Sequence, residues 1–347
     1  MALPNFKDRR KISELFRRGS ISLFIVLLAI TVGSLFIIVS GKNPLEFLVL
    51  SFKGAFGNLH ALSNFIAKMI PLTFTGLAVA IAFRNHLFTL GMEGQLYLGA
   101  LAATWMGITF GNLPAALLLP LIIICAFLAG ALGGLIPGIL KTKFNVHEAV
   151  STLFLNYIFI LFVGFLLYGP MKDPLAQVFP ISSYISHSAR LPVLISGTNI
   201  HFGLIIAIGC VFIMNFILSN TTFGYKSKAI GSNPISSNYA GINVSKNIIL
   251  ILAISGGIAG LGGMSEICGF HHRLMEGFSP GYGFLGITVG ILGRFHPLGV
   301  IFGAFLVSFL LAGTKAATYA LEISAYFAYA LAALVILFYF IFEYLRK

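Results

Sequence analysis

Residues 113–140 read LPAALLLPLIIICAFLAGALGGLIPGIL and contain no charged side chain. A helix of this length is about 42 Å long, which exceeds the roughly 30 Å of hydrocarbon in a lipid bilayer. An unpaired backbone amide is costly in lipid, so such a stretch is expected to be helical and to cross the membrane. This run indicates an all-α membrane protein.

The rest of the chain has the same apolar character. Of its 347 residues, 58% are hydrophobic and 9% are charged, whereas about 25% of the residues in a soluble globular domain are charged. Apolar runs occur at residues 20–40, 62–82, 95–111, 113–140, 149–168, 200–219, 248–267, 282–293, 298–313 and 325–343. The run 282–293 is too short to cross alone and is expected to continue irregularly to Pro297. The sequence therefore predicts a polytopic protein with about ten transmembrane helices.

The polar segments between these runs predict the domain organisation. Residues 1–19 are expected to form a cytoplasmic N-terminal segment, 20–343 a transmembrane domain and 344–347 a cytoplasmic tail, with a cytoplasmic loop at 220–247. Of the 22 lysines and arginines, fifteen then lie in cytoplasmic segments, six in external segments, and Lys68 within a run. Basic residues are retained on the cytoplasmic side, so this bias supports the orientation. The net charge of +12 is interpreted as a topology signal and not as nucleic-acid binding.

An internal repeat is visible in the sequence. Residues 76–86, GLAVAIAFRNH, align without gaps on residues 286–296, GITVGILGRFH, and five of the eleven positions are identical. In the predicted orientation both copies run from outside to inside, so we expect parallel repeats. Repeats of this kind in transporters place the substrate path at their interface, beside interrupted helices.

Four polar side chains within or beside the apolar runs are candidates for lining a translocation pathway: Asn85, Glu93, Gln95 and Asn156. An ionised carboxylate deep in a bilayer costs roughly 2.5–3.5 kcal/mol, so Glu93 is expected to face protein, water or the interface. Two interpretations of Glu93 stay open, a carboxylate at the positive end of a helix or a pathway-lining group. Asn156 is expected to bond either a neighbouring helix or a polar substrate. Glu266 is expected to be interfacial.

Patterns typical of catalysis and metal binding are not found in the sequence. The segment GYGFLG at 281–286 matches the dinucleotide pattern GxGxxG, but no predicted strand precedes it and an apolar run follows, so we reject that interpretation. No GxxxxGK[ST] phosphate loop occurs, so the chain is not expected to hydrolyse ATP by that chemistry. The three cysteines show no paired spacing, and the cluster at residues 271–273 lacks further ligands. We expect no metal site.

Glycines recur at a spacing of four in several runs: Gly130, Gly134 and Gly138, then Gly256 and Gly260, then Gly299 and Gly303. Glycine at this spacing lets the backbones of two helices approach closely. We therefore expect these positions to pack helices together.

The longest predicted cytoplasmic loop contains a short helix. Residues 221–242 read TTFGYKSKAIGSNPISSNYAGI, in which Asn233 is expected to cap a helix and Pro234 to be its first residue. Gly241 is expected to end that helix. Two basic side chains precede it, Lys226 and Lys228. This arrangement suits either docking to a partner or an ordinary connection between spans.

Four segments together resemble a known family. They are FTLGMEGQLYLGA at 88–100, the loop from 223 to 242, GYGFLGI with LGRFHPLG between 281 and 299, and, more weakly, VHEAVST at 146–152 with the residues after it. They resemble, in the expected order, the permease subunits of bacterial ABC importers for simple sugars, nucleosides and branched-chain amino acids. The likeness is greatest to the nucleoside-type branch. Two departures are Lys228, where arginine is usual, and Ser236-Ser237, where small alanines are usual.

The resemblance implies a permease subunit that translocates a nucleoside or simple sugar across the cytoplasmic membrane by alternating access. It is not itself an enzyme and needs no cofactor, because a cytoplasmic ATP-binding subunit binds and hydrolyses ATP. A second permease subunit, either another copy or a different chain, and an external substrate-binding protein complete the assembly. The resemblance assigns ATPase coupling to Gly224, Lys226, Lys228, Gly231, Asn233, Pro234 and Gly241. The alternative is an ion-coupled secondary transporter or channel that needs no ATPase, which the intramembrane Glu93 keeps open.

Overall fold

The computed structural model describes residues 24, 25, 27–176, 179–324 and 326–345. The predicted segment 1–19 and the last two residues of the predicted tail lie outside the described residues. Over the described ranges the chain is mostly α-helical, with two isolated β-bridges and no β-strand. The all-α prediction is confirmed.

The helices follow one another with short connections, except for the long loop between α6 and α7. They are α1 (Leu27–Val39), α2 (Pro44–Phe56), α3 (Leu59–Phe83), α4 (Met92–Thr109), α5 (Ala115–Phe144), α6 (Glu148–Tyr168), α7 (Gly203–Asn220), α8 (Thr222–Ser232), α9 (Pro234–Tyr239), α10 (Val244–Glu266), α11 (Tyr282–Leu292), α12 (Pro297–Leu321) and α13 (Phe327–Leu345). A π-helical turn, Ile267–His271, extends α10. A 3₁₀ turn, His187–Ala189, lies in the long loop.

Six helices of the described chain are long and apolar enough to cross a membrane: α3, α5, α6, α7, α10 with its π turn, and α12. The pair α1 and α2, bent by 119°, makes a seventh candidate span. The polytopic prediction is confirmed, because a chain with this many apolar helices has no other way to shield them from water. The count of ten transmembrane helices stays a prediction.

Helix α2 was not predicted, and helix α12 is longer than predicted. Helix α2 lies in a segment predicted as loop, where the Asn43 side chain accepts a hydrogen bond from the Leu45 N–H (2.9 Å) and Pro44 opens the helix. Helix α12 continues to Leu321, beyond the predicted end at residue 313. Both differences have one cause: the prediction followed hydrophobicity, whereas capping residues and helix-forming alanines sustain a helix where the apolar run has ended.

The repeated glycines bring α5 and α10 into direct backbone contact. A Cβ atom added at Gly130 would collide with the Gly256 carbonyl oxygen, and one added at Gly134 would collide with the Leu252 carbonyl oxygen. The expected packing role is confirmed, because no other residue type fits this close approach.

The two copies of the internal repeat, at the ends of α3 and α11, also pack against each other. A Cβ atom added at Gly286 would lie 2.7 Å from the Thr75 Cβ, and one at Gly290 would lie 2.8 Å from a Val79 methyl group. Residue numbers rise together along the two helices, so α3 and α11 run parallel. The two copies therefore run in the same direction, as predicted, whereas the repetition of whole halves of the chain stays a prediction.

Candidate functional site

The connection between α3 and α4, residues 84–91, interrupts the helical bundle, and we call it the interruption. Residues 84–86 turn the chain, with His86 at φ 55°, and residues 87–90 form no regular secondary structure. The hydroxyl of Ser255 on α10 donates to the Ala78 carbonyl oxygen (2.8 Å) and lies 3.7 Å from the Met92 sulfur. Helix α4 therefore begins beside the body of α3 and not at its end, and the chain folds back into the protein.

Side chains on one face of α6 form hydrogen bonds with the backbone of this connection. Glu148, Thr152 and Asn156 are spaced by four residues, so their side chains lie on one side of the helix. The Glu148 carboxylate accepts from the Phe88 N–H (3.2 Å), and the Thr152 hydroxyl accepts from the Leu90 N–H (3.0 Å). Sequence reasoning missed Glu148 and Thr152, although their spacing within an apolar run was a usable signal.

The Asn156 side chain both accepts and donates a hydrogen bond at the backbone where α4 begins. Its Oδ1 accepts from the Gly94 N–H (2.7 Å), and its Nδ2 donates to the Leu90 carbonyl oxygen. Of the two expectations for this residue, the structure places it against a helix backbone. Its neighbour on the same face, Glu148, also forms an ion pair with Lys141 of α5. Three helices are thereby joined at the interruption.

Glu93 connects the start of α4 to the start of α11. Its side chain is buried, with 3% relative exposure, and its carboxylate accepts from the Gly283 N–H (2.6 Å). The Ser279 hydroxyl also hydrogen-bonds to it. A carboxylate is favoured where helix N-termini leave N–H groups unpaired and positive. Glu93 lies in the first turn of α4 and at the N-terminus of α11, so two such termini surround it.

The glycines of the rejected GxGxxG segment have separate structural roles. Gly281 has φ +88°, a left-handed conformation that favours glycine, and it precedes α11. A Cβ atom at Gly283 would collide with the backbone of Glu93, and one at Gly286 would crowd Thr75. The pattern arises from close helix packing around Glu93.

Gln95 is the fourth pathway candidate, and it lies on another side of α4. Its side chain is buried, and its Oε1 has no hydrogen-bond partner among the described residues. A Cβ atom at Gly133 of α5 would lie 3.3 Å from the Gln95 Cγ. Gln95 therefore faces α5, whereas Glu93 faces α11.

The predicted loop helix is α9. The Asn233 Oδ1 accepts from the Ser236 N–H (3.0 Å), Pro234 is the first helical residue, and Gly241 follows the end of the helix with φ +78°. The predicted cap, first residue and end are confirmed. A second helix, α8, precedes it, and the prediction missed this helix because its sequence is not apolar. Gly224 allows the tight turn from α7, since a Cβ there would collide with the Leu218 carbonyl oxygen.

The tip formed by α8 and α9 is exposed and partly apolar. Ile235 is 72% exposed and Tyr239 is 90% exposed. Lys226 and Lys228 on α8 are also exposed. An open depression of about 730 Å³ lies beside α9, lined by Pro234, Ile235, Asn238, Tyr239, Gly241, Ile242, Asn243, Val244 and Ser245. We call this surface, α8 and α9 with the depression, the α8–α9 tip.

The inner side of the α8–α9 tip is bonded to the interruption. The Ser227 hydroxyl donates to the Asn85 Oδ1, and the Asn85 Nδ2 donates to the Ile81 carbonyl oxygen (2.7 Å). A Cβ atom at Gly231 would lie 3.2 Å from the Arg84 carbonyl oxygen. Asn85, predicted as a pathway candidate, thus meets residues of the predicted coupling loop.

At the opposite end of the bundle, the Glu266 side chain is buried, and its carboxylate lies 3.4 Å from the His271 Nε2. The packed helices, which sequence alone does not reveal, shield it from lipid. The expected interfacial position of Glu266 stays a prediction. No group of three or more His, Cys, Asp or Glu residues suited to a metal ion occurs in the part of the chain that the structure describes.

The sequence is similar to those of a known family of membrane proteins. The family described as the branched-chain amino acid transport system permease component matches residues 61–340. The guanosine ABC transporter permease protein NupP of Bacillus subtilis is 38% identical over 297 residues, which cover 84% of each chain. The nucleoside ABC transporter permease protein NupB of Lactococcus lactis is 32% identical over 310 residues, 87% of this chain and 85% of NupB.

A third relative carries another substrate in its name. The glucose ABC transporter permease protein TsgB13 of Haloferax volcanii is 31% identical over 332 residues, 93% of this chain and 87% of TsgB13. The match to the family extends over most of the chain and includes the interruption, α8, α9 and α11. The chain therefore belongs to the family of branched-chain amino acid transport system permease components and is a permease of the ABC transporter type.

Proposed function

We propose that this chain imports a nucleoside across the cytoplasmic membrane, as one of two permease subunits driven by a partner ATPase. The observation that carries the proposal is the α8–α9 tip, which is exposed on one side and bonded to the interruption on the other. Two relatives are named for guanosine or nucleosides, which favours a nucleoside. The relative named for glucose makes a simple sugar the second candidate.

The α8–α9 tip is the proposed docking site for the ATP-binding subunit. Ile235 and Tyr239 are exposed apolar side chains beside a depression, an arrangement typical of the centre of a protein interface. The proposed coupling residues are Gly224, Lys226, Lys228, Gly231, Asn233, Pro234 and Gly241. ATP is bound and hydrolysed by the partner, and this chain uses no cofactor of its own. The tip then faces the cytoplasm, as do both termini.

The proposed pathway runs beside the junction of the two repeats. Asn85, Glu93, Gln95 and Asn156 are its candidate residues. Helices α4 and α11 both begin within the bundle, as interrupted helices do around transporter sites. An external binding protein delivers the nucleoside, and ATP binding shifts the permease pair between two conformations. The second permease is either another copy of this chain or a different chain.

Reconstitution in liposomes tests this proposal. The chain is co-expressed with candidate ATP-binding, permease and binding-protein partners, and uptake of labelled guanosine and glucose is measured with and without ATP. We expect an ATP-binding subunit to co-purify and guanosine uptake to require ATP. Uptake by the purified chain alone without ATP would instead favour the ion-coupled alternative, and uptake of glucose only would contradict the nucleoside assignment.

A matched pair of variants tests the docking surface. Ile235→Asp places a charge on the exposed tip, whereas Leu175→Asp changes an equally apolar position, 89% exposed, in the long loop. We expect Ile235→Asp to abolish co-purification of the ATP-binding subunit and Leu175→Asp to leave it unchanged. Equal retention of the partner by both variants would show that the α8–α9 tip does not dock it.

A further inference from the structure

The described contacts form a continuous connection from the α8–α9 tip to α11. We propose that Glu93 is a positioning residue that transmits displacement of α8 to α11, through the connecting segment 84–93. This inference rests on the proposed function, because it assumes that a partner moves α8.

The first link joins α8 to the connecting segment. Ser227 donates to Asn85, and a Cβ atom at Gly231 would lie 3.2 Å from the Arg84 carbonyl oxygen, which is a tight contact. Protein interiors are close-packed, so a displacement of α8 displaces the turn that it touches. The start of the connecting segment therefore follows α8.

The second link guides the segment along α6. Three side chains of α6 bond the backbone of this non-helical segment: Glu148 accepts from the Phe88 N–H, Thr152 accepts from the Leu90 N–H, and Asn156 donates to the Leu90 carbonyl oxygen. Breaking any of these buried bonds without replacement is costly. The segment is therefore held as one piece against α6 and does not deform locally, so a displacement at its start is passed to its end.

The third link joins the segment to α11. The Glu93 carboxylate holds the Gly283 N–H at 2.6 Å, and the two backbones are in contact at this point. A buried hydrogen bond of this kind is costly to break without a replacement partner. Helix α11 has only 11 residues, so a shift of its first turn moves the whole helix. Two discrete arrangements of α11 would then alternate with the state of the ATPase.

A simpler role for Glu93 is a static cap that only stabilises the fold. The two roles differ in what they change. A static cap affects the amount of folded protein, whereas a transmitting residue affects how many nucleosides are imported for each ATP hydrolysed. Isosteric Glu93→Gln keeps an acceptor for the Gly283 N–H and replaces the carboxyl group by an amide, so it separates the two roles.

The experiment uses the full complex in liposomes and measures ATP hydrolysis and nucleoside uptake together. We expect Glu93→Gln to retain the ATP-binding subunit and to lower the ratio of nucleosides to ATP by about tenfold, which corresponds to weakening one hydrogen bond by about 1.4 kcal/mol. Glu266→Gln is the matched control, because this carboxylate is equally buried but pairs with His271. We expect it to keep the ratio within about twofold.

A second pair of variants covers the case in which Glu93→Gln fails to fold. Ser227→Ala removes the link from α8 to Asn85, and Ser232→Ala, whose hydroxyl bonds only its own helix, is the control. We expect the ratio to fall for Ser227→Ala alone. If Glu93→Gln also folds, the Ser227→Ala/Glu93→Gln double variant should lower the ratio of nucleosides to ATP by less than the two single effects combined. The reason is that both residues act on one connection.

Two results would overturn the inference, and they differ from failure of the proposed function. If folded Glu93→Gln keeps the wild-type ratio, or if Ser227→Ala and Ser232→Ala behave alike, the connection does not transmit movement. If the wild-type chain binds no ATPase or imports without ATP, the proposed function fails instead. The wild-type measurements are therefore made first.

Discussion

Two regions depart in opposite ways from the usual pattern of apolar side chains inside and polar side chains outside. They are the junction, where α4 and α11 meet at Glu93, and the α8–α9 tip. At the junction, the buried Asn156 amide accepts from the Gly94 N–H, and the buried Glu93 carboxylate accepts from the Gly283 N–H. At the tip, Ile235 and Tyr239 are exposed. Buried polar groups are stable only with internal partners, and exposed apolar groups gain most from an external one. The difference indicates that the junction serves the fold and movement of this chain, whereas the tip serves an assembly.

The largest effect is expected from crowding the junction. Gly283→Val places a side chain against the Glu93 backbone, which we expect to destabilise the fold by about 3 kcal/mol or more. Gly164→Val in α6 is the control, because open space surrounds a Cβ atom there. The measurement is the fraction of monodisperse protein that survives heating in detergent. Similar survival of the two variants would contradict the close approach of α4 and α11.

The next effect concerns the hydrogen bonds of Asn156. We expect Asn156→Leu to lose about 2–4 kcal/mol, because the Leu90 carbonyl and the Gly94 amide are left buried without this partner. Asn247→Leu removes an amide that bonds only its own helical turn, and we expect less than about 1 kcal/mol. Thermal unfolding in detergent compares them. Equal losses would mean that the α6 face contributes little to holding the interruption.

In contrast to Asn156 and Glu93, one buried histidine lacks a hydrogen-bond partner for one of its ring nitrogens. His201, in the loop before α7, is buried, and its Nε2 has no hydrogen-bond partner among the described residues. Burial, and then the nearby charge of His272, lowers its pKa from 6.5 to about 4. Between these values the unfolded state binds more protons than the folded state. Stability is therefore full above about pH 6.5 and falls as the pH drops toward about 4.

Thermal unfolding as a function of pH measures this effect. We expect a loss on the order of 3 kcal/mol across the window for the wild type and a smaller loss for His201→Asn, which does not titrate there. The exposed His60 provides the control variant, His60→Asn, which should keep the wild-type slope. A slope that is the same in all three proteins would exclude His201 as its source.

The smallest free-energy cost is expected from a substitution in the α8–α9 tip. Asn233→Ala removes the cap of α9, which costs about 1 kcal/mol locally. We expect ATPase binding to weaken about fivefold and the unfolding temperature to stay unchanged, because α9 lies outside the packed helices. Ser236→Ala, at an exposed neighbouring position, is the control. A lower unfolding temperature without weaker binding would reverse the assignment of the two regions.

Sequence alone predicted those features that depend on near neighbours. The apolar runs predicted an all-α polytopic fold, Asn233 and Pro234 predicted the start of α9, and the repeat predicted parallel α3 and α11. The glycine spacing predicted close packing without naming the partner helix. Helix α2 was missed because the prediction used hydrophobicity, whereas capping residues decide where this helix begins.

The apolar runs by themselves determined that the chain lies in a membrane as helices, because lipid requires each backbone amide to be paired within its own segment. The tertiary structure alone decided which polar groups meet. Glu93 and Gly283 are 190 positions apart, and Ser227 and Asn85 are 142 apart. Contacts over such separations depend on how whole helices pack, and no local pattern of residues contains that information.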